Sequence, residues 1–159
     1  MELQLRSAQL PDLDLLAAMN KELIDDEGNL NPMNAAQLTE RMREWLVSDW
    51  QADLLLDEQE AVIGYALYQF RKHSYFPEMK TVYLRQYFIR REHRRQGYGL
   101  KGIELLRKLR FAGVDRIELD VLYANDAATK FWRRAGFDPY AVQMTLDQEK
   151  DCKDIAGRD

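Results

Sequence analysis

Apolar and polar positions alternate at the start of the chain, with Leu3, Leu5 and Ser7 interleaved by Glu2, Gln4 and Arg6, the two-residue period of a strand. The period then lengthens. Pro11-Asp12 opens a helix, proline in its first turn and acid at its positive end, and Leu13, Leu16, Ala17, Met19 and Leu23 give it one apolar face. The polar run Asp25-Asp26-Glu27-Gly28-Asn29 closes it. Asn34 is placed to cap a second helix whose inner side is Leu38, Met42, Trp45 and Leu46. Leu54-Leu55-Leu56 and Val62 to Phe70 read as two strands of a hairpin around Asp57-Glu58-Gln59-Glu60, and a strand from Thr81 to about Arg90 follows a loop containing Pro77. Tyr98 to Ala112 is helical through Gly102, Ile103, Leu106 and Leu109, and Gly113 ends it. Ile117, Leu119 and Val121 alternate as a strand, Asn125 to Ala135 forms a short helix stopped by Gly136, and Tyr140 to Leu146 is a last strand.

The expected order is therefore β-α-α-β-β-β-α-β-α-β, a mixed α/β domain with helices over a central sheet. At 159 residues, 46% hydrophobic and 31% charged, the chain suits one compact domain, here residues 1–147, followed by a polar tail over 148–159. A net charge of −4 gives no overall attraction to nucleic acid or anionic membrane. No apolar run is long enough to span a bilayer, and the N-terminus lacks the apolar core of a signal peptide, so the cytoplasm is the expected compartment. The lone cysteine, Cys152, excludes a disulfide framework, and His73 and His93 stand too far apart in sequence to form a metal site by themselves. There is no Gly-x-Ser-x-Gly elbow for a nucleophilic serine.

Local charge departs from this average. Arg94-Arg95-Gln96-Gly97-Tyr98-Gly99-Leu100-Lys101 lies between a strand and a helix, and Arg90, Arg91, Arg94, Arg95 and Lys101 face a single Glu92. Glycines let a ligand approach the backbone, and the first-turn N–H groups of the following helix point at it with the favourable end of the helix dipole. A polyphosphate is the ligand that fits. The spacing is not that of a Walker loop. Gly97, Gly99 and Gly102 together spell G-x-G-x-x-G, with Asp120 at about the distance of a ribose-binding acid, but the loop follows several strands and too little chain remains for a dinucleotide fold.

Arg94-x-x-Gly97-x-Gly99 resembles the central motif of the GCN5-related N-acetyltransferase (GNAT) superfamily, [Arg/Gln]-x-x-Gly-x-[Gly/Ala]. Tyr87 to His93 resembles that family's fourth strand and the turn after it. Asn125-Asp126-Ala127-Ala128-Thr129-Lys130-Phe131-Trp132-Arg133-Arg134-Ala135-Gly136-Phe137 resembles its second signature, about 30 residues downstream. The resemblance covers roughly residues 2–146. It implies a sheet splayed between the fourth and fifth strands, and acetyl-CoA as co-substrate. The pyrophosphate would be held by backbone N–H groups from Arg95 through Gln96, Gly97, Tyr98 and Gly99 to Leu100, with Arg94 and Lys101 beside them. The pantetheine arm would pair with Phe88 and Ile89, Asn125 and Phe131 would sit near the thiol end, and Trp132 would pack on the arm or the acceptor. Asn125 reads equally as a helix cap, and Phe131 as part of a helix-core stripe.

The same resemblance implies an amine acceptor, a small molecule or a peptide, and a monomer or homodimer. Direct transfer needs a base to neutralise the ammonium and a donor for the oxyanion. Ile89 N–H is the expected donor. The strand from Thr81 to Ile89 contains no carboxylate, so the acid supply is Asp25-Asp26-Glu27, with Glu27 attracting the amine, aided by Asp26, and Tyr87 or water relaying the proton. Arg85, if it faces the site, suits a carboxylate on the acceptor, which leaves an amino acid, a polyamine or a peptide end open. Trp132 stands where the family often has a tyrosine acid, and Tyr123 is an alternative phenol. The absent strand carboxylate and Trp132 are the two supports for a rival reading, a non-catalytic acyl-CoA-binding or regulatory module on the same fold.

Overall fold

The structure, a computed structural model, describes residues 2–149. Five strands form one sheet in chain order: β1 (Gln4–Ser7), β2 (Trp50–Leu56), β3 (Val62–Lys72), β4 (Lys80–Ile89) and β5 (Arg116–Glu118). The first four pair antiparallel, and β5 runs parallel to β4. The helices are α1 (Leu13–Glu27), α2 (Ala35–Leu46), α3 (Tyr98–Leu109) and α4 (Asp126–Arg134), with short 3-10 turns at Leu10–Asp12 and Arg91–His93. The chain divides into two compact units between Asn125 and Asp126.

In the first unit, residues of one pleat face meet α1 and α2. Ala52, Leu54 and Leu56 of β2, Tyr65 and Leu67 of β3 and Phe88 of β4 pack with Leu13, Leu16, Met19, Leu23 and Met42. Leu16, fully buried, contributes about 1.5–3 kcal/mol by its removal from water. The two helices are joined through the apolar pairing of Ala17 and Ile24 with Leu38. Asn34 caps α2 as expected, its Oδ1 accepting from Gln37 N–H at 2.9 Å while the Gln37 side chain accepts from Asn34 N–H at 2.9 Å. Gly28, at φ 65°, ends α1 in the left-handed conformation. On the opposite pleat face α3 packs through Ile103 and Leu106, and Phe111 stands edge-on to Tyr68 at 4.9 Å.

Two features of β4 position the site. Its register against β3 slips between Leu67 and Tyr68, which oppose Gln86 and Leu84, so Arg85 is the extra residue of a bulge. On its other edge β4 pairs with β5 only through Thr81, Val82 and Tyr83, and the ladder stops there. The strands thus part along the second half of β4, the splay expected from the resemblance.

Three expectations are corrected in detail. β5 spans Arg116–Glu118 rather than reaching Val121, because its neighbour is already diverging. α3 ends at Leu109, since Arg110 turns to an ion pair and Phe111 turns into the core. The strand expected over Tyr140 to Leu146 is not formed, and Tyr140 and Met144 are exposed. Alternation makes a segment competent to be a strand, but a ladder partner makes it one. The second unit contains α4, closed by Gly136 at φ 100°. Of the tail expected over 148–159, residues 150–159, Cys152 included, lie outside the described residues.

Candidate active site

The turn into α3 has the backbone of an anion cradle. Arg95 at φ 62° and Gly97 at φ 85° both take the left-handed conformation, which for Arg95 is costly and for Gly97 is not. No side chain caps α3, whose first intrahelical bond is Lys101 N–H to the Gly97 carbonyl at 3.2 Å, so helix geometry leaves the N–H groups of Tyr98, Gly99 and Leu100 for another acceptor. A Cβ on Gly97 would meet nothing within 4 Å, so the space before the loop is open.

Gly102 has a different job. A Cβ there would run into the Tyr87 hydroxyl and Leu55, so this glycine lets α3 lie close on the sheet. The third glycine of the G-x-G-x-x-G spelling is thereby accounted for by packing. Tyr87 completes the same joint: its hydroxyl donates to the Gly99 carbonyl at 2.6 Å, and burial pushes its pKa far above the ordinary phenol value. Tyr87 therefore braces the loop from beneath, an engagement at odds with the proton relay expected of it.

Arg94 ties the loop to β4 and α1. Its Nε donates to the Ile89 carbonyl at 2.8 Å, its guanidinium lies 5.2 Å over the Phe88 ring, and Nη2 donates to Asp26 at 2.6 Å. Arg91 holds the other Asp26 oxygen at 2.8 Å. Burial alone would raise the Asp26 pKa, but the hydrogen bonds from Arg91 and Arg94 prevail and hold it below the usual carboxylate range. Asp26 is thus a clasp between α1 and the loop. The expectation that it helps Glu27 attract an amine is corrected, because both its oxygens are already neutralised. The basic patch is smaller by the same pairing.

At the end of β4, Phe88 is buried, turns its ring into the core against Tyr65 and pairs its backbone with β3. Successive residues of a strand direct their N–H groups to opposite edges. Since Arg90 N–H bonds to the Ile63 carbonyl of β3 at 2.7 Å, Ile89 N–H faces the edge that β5 has left.

Residues 25–30 and 122–125 line an open hollow of about 700 Å³, and Asp26 of that lining is tied through Arg94 to the Ile89 carbonyl. The hollow brings together Glu27, Tyr123 and Asn125, residues nearly a hundred positions apart. Burial raises the Glu27 pKa above its ordinary value and the charge of Asp26 adds to this, against a hydrogen bond from Asn29. Asn125 stands directly before α4, with its N–H on the Leu122 carbonyl at 2.9 Å. In the second unit Phe131 and Trp132 lie on α4 with their rings edge-on at 4.9 Å, and Trp132 meets Phe137 at 5.3 Å. Trp132 has an aromatic packing role there. Among the described residues no cluster of histidine, cysteine and carboxylate is placed to hold a metal.

Sequence and structure comparisons agree on one family. Residues 17–137 match the family model described as Acetyltransferase (GNAT) family. The chain belongs to that family. Among solved structures, a mutant protein from Bacillus halodurans is 24% identical, with 91% of this chain and 98% of that one covered at a TM-score of 0.76. A predicted acetyltransferase from Clostridium acetobutylicum, solved with acetyl-CoA, is 16% identical over 95% and 99% of the two chains at a TM-score of 0.70. A ribosomal-protein-alanine N-acetyltransferase from Brucella melitensis biovar Abortus is 9% identical over 92% and 99% at 0.72. None of the curated proteins matches in sequence. At such identities the neighbours establish the GNAT fold, and no helix among the described residues of this GNAT chain is long and apolar enough to cross a membrane.

Sequence reasoning located the loop and the strand but missed the Asp26 clasp and the polar residues Asn20, Arg41, Tyr65 and Gln86 beneath α1 and α2. The Asp26 partners are 65 and 68 residues away, and no local spacing marks them.

Proposed function

We propose that the protein is an N-acetyltransferase that moves the acetyl group of acetyl-CoA directly onto an amine. The observation that carries this reading is the meeting of two unsatisfied backbone surfaces: the open edge of β4 after Tyr83 and the uncapped first turn of α3. One suits an extended amide-bearing arm, as an added strand would, and the other a diphosphate. The solved neighbour from Clostridium acetobutylicum, with acetyl-CoA, supports the choice of thioester carrier.

In this reading the backbone from Arg95 to Leu100 holds the pyrophosphate, Arg94 and Tyr87 keep that backbone in place, and the arm runs along Phe88 and Ile89. Ile89 N–H donates to the carbonyl oxygen as it gains charge. Glu27 takes the ammonium proton through water, the freed amine nitrogen forms the new bond to the carbonyl carbon and sheds its second proton to solvent, and the carbon–sulfur bond breaks. The departing thiolate, an acceptable leaving group near neutrality, is protonated by solvent or by Tyr123 across the hollow. The acceptor is a small molecule or a peptide end, and the soluble cytoplasm is the expected setting, as a monomer or homodimer.

A carboxylate works as a base only when ionised, and the Glu27 pKa is raised by burial and by Asp26. Turnover should therefore fall as pH drops through a value above that of an ordinary glutamate. Glu27→Gln should remove this acid limb and lower kcat about 100-fold, with the acetyl-CoA affinity retained. An unchanged pH profile with unchanged kcat would return the chemistry to another group. The rival reading, a binding module without chemistry, predicts acetyl-CoA uptake with no thiol release on any amine.

A further inference from the structure

Under α2, on the sheet face that α1 and α2 cover, two guanidinium groups share one indole. Arg41 lies 4.5 Å over the Trp45 ring, and Arg85, the bulge residue of β4, lies 5.0 Å from the same ring and 5.6 Å from Trp50. Trp45 and Trp50 are themselves in contact at 5.9 Å. Stacking fixes the plane of a guanidinium and leaves its N–H edge for a planar acceptor. Among the described residues neither arginine has an ion-pair partner. Carboxylates on adjoining strands and turns are committed elsewhere, Asp53 to Arg110 and Asp49 to Gln69. Arg71, by contrast, stacks 4.4 Å over Tyr83 and has its Nε satisfied by Gln69 at 2.7 Å, as a purely structural arginine would be.

The unmet demand extends inward. Arg41 Nη2 donates to Asn20 Oδ1 at 3.0 Å, yet Arg41 Nε is without a hydrogen-bond partner, and the fully buried Asn20 amide has the Tyr65 hydroxyl beside it. Folding rarely leaves such a donor together with two adjacent positive charges unless something negative completes the set. Beside them the buried Tyr65 hydroxyl donates to Gln86 at 2.8 Å and senses both the negative charge of Glu27 and the positive charge of Arg41. Tyr65 thus stands within reach of a negative charge at Glu27 and of the positive charge of Arg41, which neighbours Arg85 across Trp45.

We propose that the acceptor carries a carboxylate as well as its amine, an amino-acid-like molecule whose carboxylate is gripped by Arg41 and Arg85 against Trp45. This rests on the acetyl-transfer reading and narrows its substrate class from amines at large. Arg85 contributes an exposed, movable guanidinium and Arg41 a half-buried, fixed one; Trp50 holds Arg85 toward its partner. A polyamine, with no negative group, would meet repulsion at this end.

The test is a panel of the common L-amino acids, each beside its C-terminal carboxamide, at saturating acetyl-CoA with thiol release as the readout. The free acids should be preferred in kcat/KM by about 10- to 100-fold, the range of one or two charge-assisted hydrogen bonds. Arg85→Gln should raise KM for the acid by a similar factor while leaving KM for acetyl-CoA and for the carboxamide unchanged, a split that lost stability would not produce. Arg41→Gln should do the same, and because it is half-buried its melting temperature is read alongside; Arg85→Gln decides the matter if Arg41→Gln fails to fold. Equal turnover of acids and carboxamides, or an Arg85→Gln variant that slows both alike, overturns the inference and leaves acetyl transfer standing. Release of no thiol with any amine overturns acetyl transfer itself, and this inference with it.

Discussion

Gly97→Glu should lose acetyl-CoA affinity by at least about 100-fold and still fold. Two effects combine. A side chain at φ 85° costs about 1–2 kcal/mol, because an L-residue crowds its own carbonyl in the left-handed conformation. The carboxylate would then stand in the open space before α3, where the helix dipole and bare N–H groups favour an anion, and would occupy the diphosphate position itself. Since a Cβ there meets nothing within 4 Å, the protein should lose only a few degrees of melting temperature. Gly97→Ala separates the two effects, retaining the backbone strain without the charge, and should weaken binding far less. Titration calorimetry of both variants with acetyl-CoA checks this. A Kd for Gly97→Glu within about threefold of the parent would mean the diphosphate is held elsewhere.

The second large effect concerns stability rather than binding. Asp53, on the sheet face under α3, is 1% exposed, and Arg110 holds it with Nη2 at 3.0 Å and Nε at 3.1 Å while the Tyr68 hydroxyl donates to it as well. Removing the cation leaves a carboxylate in the core with one hydroxyl for company. Arg110→Ala should therefore destabilise the fold by about 3 kcal/mol, a drop in melting temperature on the order of 10 °C for a chain of this length. Asp53→Asn in the same background should recover part of the loss, because the stranded charge is the main cost. Urea unfolding of the single and double variants gives the comparison. A loss under about 1 kcal/mol for Arg110→Ala would show that water reaches Asp53.

What the sequence disclosed and what it withheld divide along a physical line. The amphipathic faces of α1 and α2, the β2–β3 hairpin, the Asn34 cap and the glycine turn before α3 all follow from local periods and local stereochemistry, and each formed where expected. The motif Arg94-x-x-Gly97-x-Gly99 was legible because backbone conformation and helix geometry sit within a few residues. Tyr87 illustrates the limit. Its place on a strand was readable, but which face it takes depends on register, and register places it under Gly99 and Gly102 as a brace. The Asp26 clasp and the Arg41–Asn20 contact join segments 21 to 68 residues apart and leave no periodic mark. The alternation over Tyr140 to Leu146 erred the other way, being visible in the sequence although no strand forms there.

In the proposed reading the coenzyme is held by main-chain N–H donors, with side chains as supports: Arg94 and Tyr87 for the loop, Gly102 for the approach of α3, the β5 divergence for the open edge. Amide hydrogen exchange with and without acetyl-CoA reads that assignment residue by residue. Slower exchange should be concentrated at residues 95–100 and at Ile89 on the open edge, with β2 and β3 unaffected. No slowing at either place under saturating acetyl-CoA would contradict the account.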